Sequence, residues 1–421
     1  MTDAMVGSLR ERLVEMGPQE RAELVARHPE AYANPRPRTL HQLAVRLLGN
    51  VHADADLLDQ GELQLLEAAV VAVAAGRSFG RRGPLSCPRK TLEELLRVGD
   101  AVSAERVEEV LKSLTARLLA WPDDDRVLIH AGAADLFRAP LGRRTDRDPK
   151  PSGRAPLLSA RPVPKARPVT GQGAAGVAAA AALRWMEKLL EVFAEPSWPA
   201  LKQGGISVKE VRRLGRLLHV PEEEARLWLH LAAQLDLIET KHGRWTPSRQ
   251  AKAWHRAEPA ARLVDLGRAL LGLTALPLVA IPDPSRPKQT VTALSSHATV
   301  REAWQIRRTA LRVLAEIPDG HGALADQGLT AAVYYRSPTA FAPYGHRPPL
   351  CDDSMLSYLS IWCSSALEAE VVTAAVMREA EMLGLVDDGA LTGLGRALLD
   401  GDDVERLLDA AAALLPLQEK G

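Results

Sequence analysis

Aromatic residues are scarce in this chain of 421 residues, because Phe, Tyr and Trp together make up 4% of it. β-Branched residues are also few, whereas Ala, Leu, Arg and Glu are abundant, and such a composition favours helices over strands. The length is sufficient for about two to four domains with buried cores of their own. We therefore predict a mostly α protein with several domains.

The chain has only three cysteines, Cys87, Cys351 and Cys363, and no C-x-x-C pair. An odd number of cysteines cannot complete a disulfide framework and is typical of a reducing compartment. The sequence also lacks a signal peptide and any run of about 18 apolar residues. We expect a soluble, cytoplasmic protein without a membrane partner.

Net charge is absent as well, because 53 Lys and Arg residues balance 53 Asp and Glu residues. The chain as a whole therefore gives no electrostatic reason to expect a nucleic-acid partner. Any argument for such a partner has to come from local clusters of charge.

Motifs for nucleotide, metal and catalytic sites are missing or incomplete. No G-x-x-x-x-G-K-[ST] loop occurs, which excludes the phosphate-binding loop of a helicase motor. The glycines of GQGAAG (171–176) have dinucleotide-binding spacing, but proline-rich residues precede them where a buried strand is required. Ser78 in GRSFG follows a helical run, and His346, Cys351 and Cys363 match no recurring zinc spacing. We predict no cofactor and no metal, and no residue is assigned a catalytic role.

Three segments of the chain share one pattern, in which an amphipathic helix leads into a short apolar strand, a polar turn, a second strand and another helix. These segments are 107–137, 225–254 and 371–399. In the middle copy, LDLIETKHGRWTPS predicts strands Leu237–Thr240 and Arg244–Thr246 around a tip of Lys241, His242 and Gly243.

Two further helices are predicted before each copy. They are Asp59–Ala75 and Thr91–Arg97 for the first, Leu183–Phe193 and Ser207–His219 for the second, and Val300–Ile317 and Ala323–Arg336 for the third. Three helices followed by a hairpin is the order of a winged helix, so we predict tandem winged-helix domains. The predicted domains are an N-terminal helical cap (1–50), a first winged helix (51–138), a basic Pro-rich linker (139–176), a second winged helix (177–276) and a third with insertions (277–421).

The segments LRERLVEMGPQERAELVARHPEAY, LDQGELQLLEAAV, LAAQLDLIETKHGRWTPS and MLGLVDDGALTGLGRALL carry a family resemblance. The chain resembles the N-terminal half of the actinobacterial helicase-associated proteins that are related to the N-terminal domain of XPB-type helicases. The resemblance spans most of the chain and implies tandem winged helices and a DNA-associated role without an ATPase engine.

The middle module has the charge pattern best suited to DNA, with eleven Lys or Arg against six Asp or Glu between Lys202 and Arg256. On its predicted helix Ser207–His219, basic residues recur at i, i+3, i+4 and i+7 and so form one exposed stripe. The members of this stripe are Lys209, Arg212, Arg213 and Arg216.

The recognition helix of this module is predicted at Pro221–Leu235. We expect Arg226, His230 and Gln234 on its exposed face, with Lys241, His242 and Arg244 on the wing as further DNA contacts. Three glutamates at 222–224 would repel phosphates near the helix start, which favours backbone contact over base reading.

A second basic stripe is predicted on the helix that begins near residue 300. Arg301 and Arg308, with Arg312 and Gln305 beside them, could extend the DNA contact. The first and third wings carry Asp123–Asp125 and Asp387–Asp388, whose charge would repel a duplex. We expect those two copies to act as spacers or protein-contact modules.

The leading hypothesis is a non-enzymatic protein that binds double-stranded DNA with low specificity, in transcription or DNA repair. Other proteins of a DNA-processing complex are possible partners. Two alternatives stay open at this point: a protein-interaction scaffold built on winged helices, and a winged-helix DNA-repair glycosylase. The latter has no paired acid and base signature to support it.

Overall fold

The computed structural model of the chain is mostly helical, which confirms the predicted fold class at that level: helix far exceeds strand, at 63% against 12%. The chain forms two compact units. Unit 1 contains the described residues up to 161, and unit 2 contains the described residues from 162 onwards. The structure describes residues 3–32, 35–49, 58–75, 85–99, 102–130, 132–133, 158, 160–169, 173–195, 198–202, 204–283, 286–300, 302–341, 369–401 and 403–415.

Unit 1 combines six helices with a three-stranded antiparallel sheet in the order β1-β3-β2. Helix α4 begins with a reciprocal capping box, because the Asp59 amide donates to Glu62 and the Glu62 amide donates to Asp59, both at 2.8 Å. The elements are α1 (Asp3–Glu15), α2 (Pro18–Arg27), α3 (Leu40–Gly49), α4 (Gln60–Ala75), β1 (Leu85–Pro88), α5 (Arg89–Leu96), α6 (Ala104–Ala116), β2 (Ala120–Asp123) and β3 (Arg126–Ile129).

The predicted helical cap shares its hydrophobic core with the module that follows it. Leu9 and Leu47 from the cap belong to the same buried cluster as Leu65 and Trp121. The Trp121 indole also donates to the Ser8 hydroxyl at 3.1 Å. The described residues of the cap are therefore packed into the core of unit 1.

Unit 2 is built around one large hydrophobic cluster that extends from Ala179 to Ala411. Residues on both sides of the domain boundary predicted at 276/277 contribute to this cluster. The elements are β4 (Ala166–Pro168), α7 (Gly173–Ala194), α8 (Val208–Leu218), α9 (Glu222–Gln234), β5 (Ile238–Lys241), β6 (Arg244–Pro247), α10 (Arg249–Arg256), α11 (Pro259–Gly272), β7 (Pro282–Asp283), β8 (Arg286–Thr290), α12 (Ala303–Ala315), β9 (His321–Ala323), α13 (Gln327–Arg336), α14 (Ala369–Met382), β10 (Val386–Asp387), β11 (Ala390–Leu391), α15 (Gly393–Asp400) and α16 (Val404–Leu414).

The three helix-and-hairpin segments of the sequence have the same local structure. In each copy the residue two positions after the helix has a positive φ, at Leu118, Asp236 and Gly384. The next amide then donates to the carbonyl five residues earlier, which closes the helix end. These bonds join Leu119 to Leu114 (3.0 Å), Leu237 to Ala232 (2.8 Å) and Leu385 to Ala380 (2.9 Å).

The predicted hairpin of the middle copy is confirmed to within one residue at each end. Its two turn residues, His242 and Gly243, have φ values of 49° and 72°, as a two-residue type I′ turn requires. The third hairpin repeats this geometry at Asp388 and Gly389, with φ values of 51° and 76°. The repeat seen in the sequence is therefore a repeat of backbone conformation.

The described residues of the predicted linker after residue 165 form regular structure. This corrects the expectation of an extended, unpacked segment there. Strand β4 pairs antiparallel with β9, with Arg167 opposite Gly322. Residues 173–176 already belong to α7, and Ala175 is buried. Small residues permit this packing, because the backbone of Leu414 lies where a side chain on Gly176 would project.

A buried ion pair lies inside unit 2, where Arg307 on α12 donates to Glu379 on α14 at 2.7 Å. Both side chains are almost completely excluded from solvent, at 1% and 0% exposure. The other guanidinium nitrogens donate to the carbonyl oxygens of Leu273 (2.6 Å) and Ala275 (2.5 Å). Burial raises the pKa of Glu379, and the neighbouring guanidinium opposes that rise.

Removing one partner of this pair should destabilise unit 2 strongly. For Glu379→Ala we expect a loss of about 3–5 kcal/mol in the free energy of unfolding, because Arg307 would be left as an uncompensated buried charge. Urea unfolding followed by tryptophan fluorescence measures this loss. Glu316→Ala is the control, since Glu316 pairs with Arg336 at the surface and should cost less than about 1 kcal/mol. Equal effects of the two substitutions would show that the buried pair has no special role.

Candidate nucleic-acid interface

Helix α8 carries the basic stripe that the sequence predicts. Ser207 caps its N-terminus by accepting the Glu210 amide at 3.3 Å, and His219 ends it in the left-handed conformation. Val211, Leu214 and Leu218 are buried, so the opposite face points to solvent. Lys209, Arg212 and Arg216 are exposed there, and Arg213 is half-buried.

Two of the four cations on α8 are neutralised within the chain. Arg212 pairs with Glu222 at 2.8 Å, and Arg213 pairs with Glu210 at 3.3 Å. The Arg213 guanidinium also lies over the Trp198 ring, 4.7 Å from its centroid. Among the residues that the structure describes, Lys209 and Arg216 form no ion pair.

The middle hairpin, β5 and β6, is connected to α8 through Trp198. The Trp245 amide donates to the Trp198 carbonyl at 2.8 Å, and the Ala200 amide donates to the Gly243 carbonyl at 2.9 Å. Because Arg213 stacks on the ring of Trp198, the stripe on α8 and the hairpin adjoin the same segment. The exposed residues Lys241, His242 and Arg244 lie at the hairpin tip, where Lys241 pairs with Glu239 at 2.7 Å.

The predicted recognition helix does not present the expected face. In α9 (Glu222–Gln234), residues 227–232 are all buried, and the expectation that His230 is exposed is wrong. His230 is 8% exposed and accepts the Leu294 amide at 3.5 Å. Arg226 is half-buried, and only Gln234 of the three predicted contacts is exposed.

Residues of the segments 275–281 and 291–298 lie against this face of α9. Arg226 and His230 line a small, partly open pocket together with Leu276, Val279 and Ala293. The run LWLHLAA has apolar residues on every side of the helix, and a helix of that kind is normally buried. This signal was present in the sequence and outweighs the polar residues at 226, 230 and 234.

The second predicted stripe is rotated on the observed helix α12 (Ala303–Ala315). Gln305 is buried and donates to Ser337 at 3.4 Å, so it does not lie on the exposed face. Arg308 is half-exposed and Arg312 is exposed. Arg301 lies outside the described residues.

Helix α10 (Arg249–Arg256) is a basic element that the sequence analysis did not single out. Ser248 caps it by accepting the amides of Gln250 and Ala251, while Ala251 and Trp254 are buried. Its exposed basic residues are Arg249, Lys252, His255 and Arg256, and none of them forms an ion pair with a described residue. The segment RQAKAWHR contains no acidic residue, and this absence was the available signal.

The acidic hairpins of the first and third copies contact their own unit. Asp123 accepts the Ser8 hydroxyl at 2.5 Å in unit 1. In unit 2, Asp387 is buried and accepts the Ala175 amide at 3.2 Å, and Asp388 pairs with Arg167. The Gly389 carbonyl also accepts the Ala323 amide at 2.9 Å. The third hairpin is therefore used in packing.

Chemistry other than charge is sparse in the described part of the chain. It contains no group of three His, Cys, Asp or Glu residues arranged to hold a metal ion. His346, Cys351 and Cys363 lie outside the described residues. Cys87 is buried, and desolvation raises the pKa of its thiol to about 11, which suppresses the reactive thiolate. None of the described helices has an apolar stretch long enough to cross a membrane.

Comparisons with known proteins return no relative for this chain. No protein-family model matches it, no curated protein matches it, and no solved structure matches it. The resemblance to helicase-associated proteins therefore stays a prediction from the quoted segments.

Burial of His230 should make the stability of unit 2 depend on pH. Desolvation, with the charges of Arg307 and Arg226, lowers the pKa of His230 to about 4, against about 6.5 in the unfolded chain. The unfolded state then binds more protons, so stability from this group is complete above pH 6.5 and falls as the pH drops towards 4. The free-energy difference between wild type and His230→Gln should therefore shrink by about 2 kcal/mol from pH 7 to pH 5.

The matched control for this titration is His255→Gln, because His255 is exposed on α10. Urea unfolding at each pH gives the free energies, and the difference between wild type and the control variant should stay constant. A His230→Gln variant whose difference from wild type is also constant would contradict the burial of a neutral imidazole.

Proposed function

We propose that this protein binds double-stranded DNA without enzymatic chemistry, through phosphate contacts made by a cationic surface of unit 2. The surface consists of α8, the middle hairpin and α10. One observation carries the proposal: exposed cations on α8 and α10 have no acidic partner among the described residues, although the chain as a whole is neutral. These residues are Lys209, Arg216, Arg249, Lys252 and Arg256.

Cations without internal partners are the ones that gain most from a phosphate. A paired residue such as Arg212 must exchange Glu222 for the phosphate, so the net gain is small. Lys209 and Arg216 exchange only water and counterions, whose release drives the binding of basic proteins to DNA. The same reasoning applies to the three cations of α10. We therefore assign the main contacts to α8 and α10 and a lesser one to the hairpin tip.

The burial of α9 supports binding with low sequence specificity. Each helix-and-hairpin copy with its preceding helices has the element order of a winged helix, and we propose that this is its architecture. In such a domain the helix before the hairpin reads base edges in the major groove. Here segments 275–281 and 291–298 lie against that helix, which begins with three glutamates, Glu222, Glu223 and Glu224. Contacts to phosphates hold a duplex in place but carry no sequence information.

A role in transcription or DNA repair, beside other proteins of a DNA-processing complex, is consistent with non-specific duplex binding. The scaffold alternative depended on the acidic hairpins as free contact surfaces. Since Asp387 is buried and Asp388 pairs with Arg167, the third hairpin offers little free surface for that purpose. Duplex binding is therefore the function that the geometry supports best.

Neutralising the unpaired cations should reduce both the affinity for a duplex and its salt dependence. For K209Q/R216Q and for R249Q/K252Q/R256Q we expect the slope of log K against log salt to fall by up to about 0.9 per residue. Fluorescence anisotropy at several salt concentrations measures this slope. The probe is a blunt duplex of about 20 base pairs, which spans two helical turns. All five side chains are exposed, so the fold should be preserved.

The control variant is K90Q/K112Q, which removes two exposed lysines from unit 1 and should leave the slope unchanged. Three duplexes of different sequence should bind with similar affinity. Binding that is insensitive to salt, or equally weakened by the control variant, would reject the proposed surface.

A further inference from the structure

Helix α12 exposes an aromatic side chain in line with two arginines. Trp304, Arg308 and Arg312 occur at i, i+4 and i+8, a spacing that places them on one face over about 12 Å of helix. Trp304 is 39% exposed, Arg312 is exposed and Arg308 is half-exposed. The opposite side of α12 is buried and includes Ile306, Ala310 and Leu314.

The exposure of Trp304 differs from that of the other large aromatic side chains in unit 2. Trp198, Trp228 and Trp254 are buried in its core. Exposed tryptophan leaves a large apolar surface in water, which proteins commonly use for contacts. More than half of the Trp304 surface is nevertheless covered by the protein, so the side chain also packs against unit 2. No aromatic ring of the described residues stacks on it.

Within α12 itself, every charged residue is an arginine. The acidic neighbours of the helix, Glu302 and Glu316, lie at its two ends, and Glu316 pairs with Arg336. Arg308 and Arg312 form no ion pair with a described residue. The face therefore offers a flat π surface followed by two guanidinium groups.

We propose that this face binds single-stranded nucleic acid, with an unpaired base stacked on Trp304 and phosphates on Arg308 and Arg312. Aromatic rings combined with a basic track are the usual means of binding unpaired strands, because every base has a π face and every nucleotide a phosphate. A base inside a duplex is already stacked and cannot use Trp304. This site goes beyond the duplex surface of α8 and α10 and depends on different residues.

The test measures binding of oligo(dT) and of a blunt duplex to the full chain and its variants. Trp304→Ala should weaken oligo(dT) binding about 5-fold or more and leave duplex binding unchanged. Trp304→Phe should retain most of the affinity, because phenylalanine keeps a stacking ring. R308Q/R312Q should lower the salt slope for oligo(dT) by up to about 1.4, or about 0.7 for each phosphate contact.

The matched control is Tyr32→Ala, which removes an exposed aromatic ring, 41% exposed, from unit 1 and should have no effect. Circular dichroism of each variant verifies folding, and Trp304→Phe serves if the alanine variant does not fold. Quenching of tryptophan fluorescence by oligo(dT) should be smaller in Trp304→Phe than in wild type.

Three outcomes would overturn the inference. Unchanged oligo(dT) binding in Trp304→Ala would remove the stacking role. If poly-glutamate displaces labelled oligo(dT) as well as unlabelled oligo(dT) does, the partner is an acidic protein. If wild type sediments as a dimer and Trp304→Ala as a monomer, with oligo(dT) binding unchanged, the face is a contact between two copies of the chain. Mutations on α8 or α10 test the proposed duplex surface. If they change duplex binding alone, the proposal for Trp304 is not affected.

Discussion

The ion pair of Arg307 and Glu379 is the constraint on which the surface of unit 2 depends. A buried guanidinium is tolerated only when its donors are satisfied, and Arg307 satisfies them with Glu379 and the carbonyls of Leu273 and Ala275. The chain that leaves residue 275 then passes over α9, where Leu276 and Val279 face His230. A charge pair in the core thus fixes the segment that covers the helix expected to read DNA.

The cover on α9 shifts any nucleic-acid contact to the neighbouring elements. Helix α8 and the middle hairpin adjoin the segment of Trp198, through the Arg213 guanidinium on its ring and the Trp245 amide at its carbonyl. Helix α10 follows the hairpin directly and has a buried side that includes Trp254, over which Arg262 is positioned at 5.2 Å. On α8 and α10, packing of the apolar side leaves the basic side chains of each helix exposed.

Local features of the fold were predictable from the sequence because they depend on neighbouring residues. The helix-and-hairpin repeats follow from apolar spacing and from turn residues such as His242 and Gly243, and the stripe on α8 follows from a period of 3.6. The burial of His230 depends on residues some 60 positions later, and no local period contains that information. On α12 a shift of one or two positions decides whether a side chain lies on the buried or the exposed face, since each residue turns the helix by about 100°. Gln305 and Arg307 are buried, whereas Trp304 and Arg312 are exposed.

The three repeats show that one backbone pattern can serve opposite electrostatic purposes. The third hairpin has aspartates at its tip and uses them inside unit 2, where Asp387 accepts the Ala175 amide and Asp388 pairs with Arg167. The middle hairpin has Lys241 and His242 at the same two positions, with Arg244 directly after the turn, and exposes all three. A tip that packs against its own chain must have its charges satisfied there, because an unpaired buried charge is costly. A tip in water has no such requirement, so its charges remain accessible to a partner outside the chain.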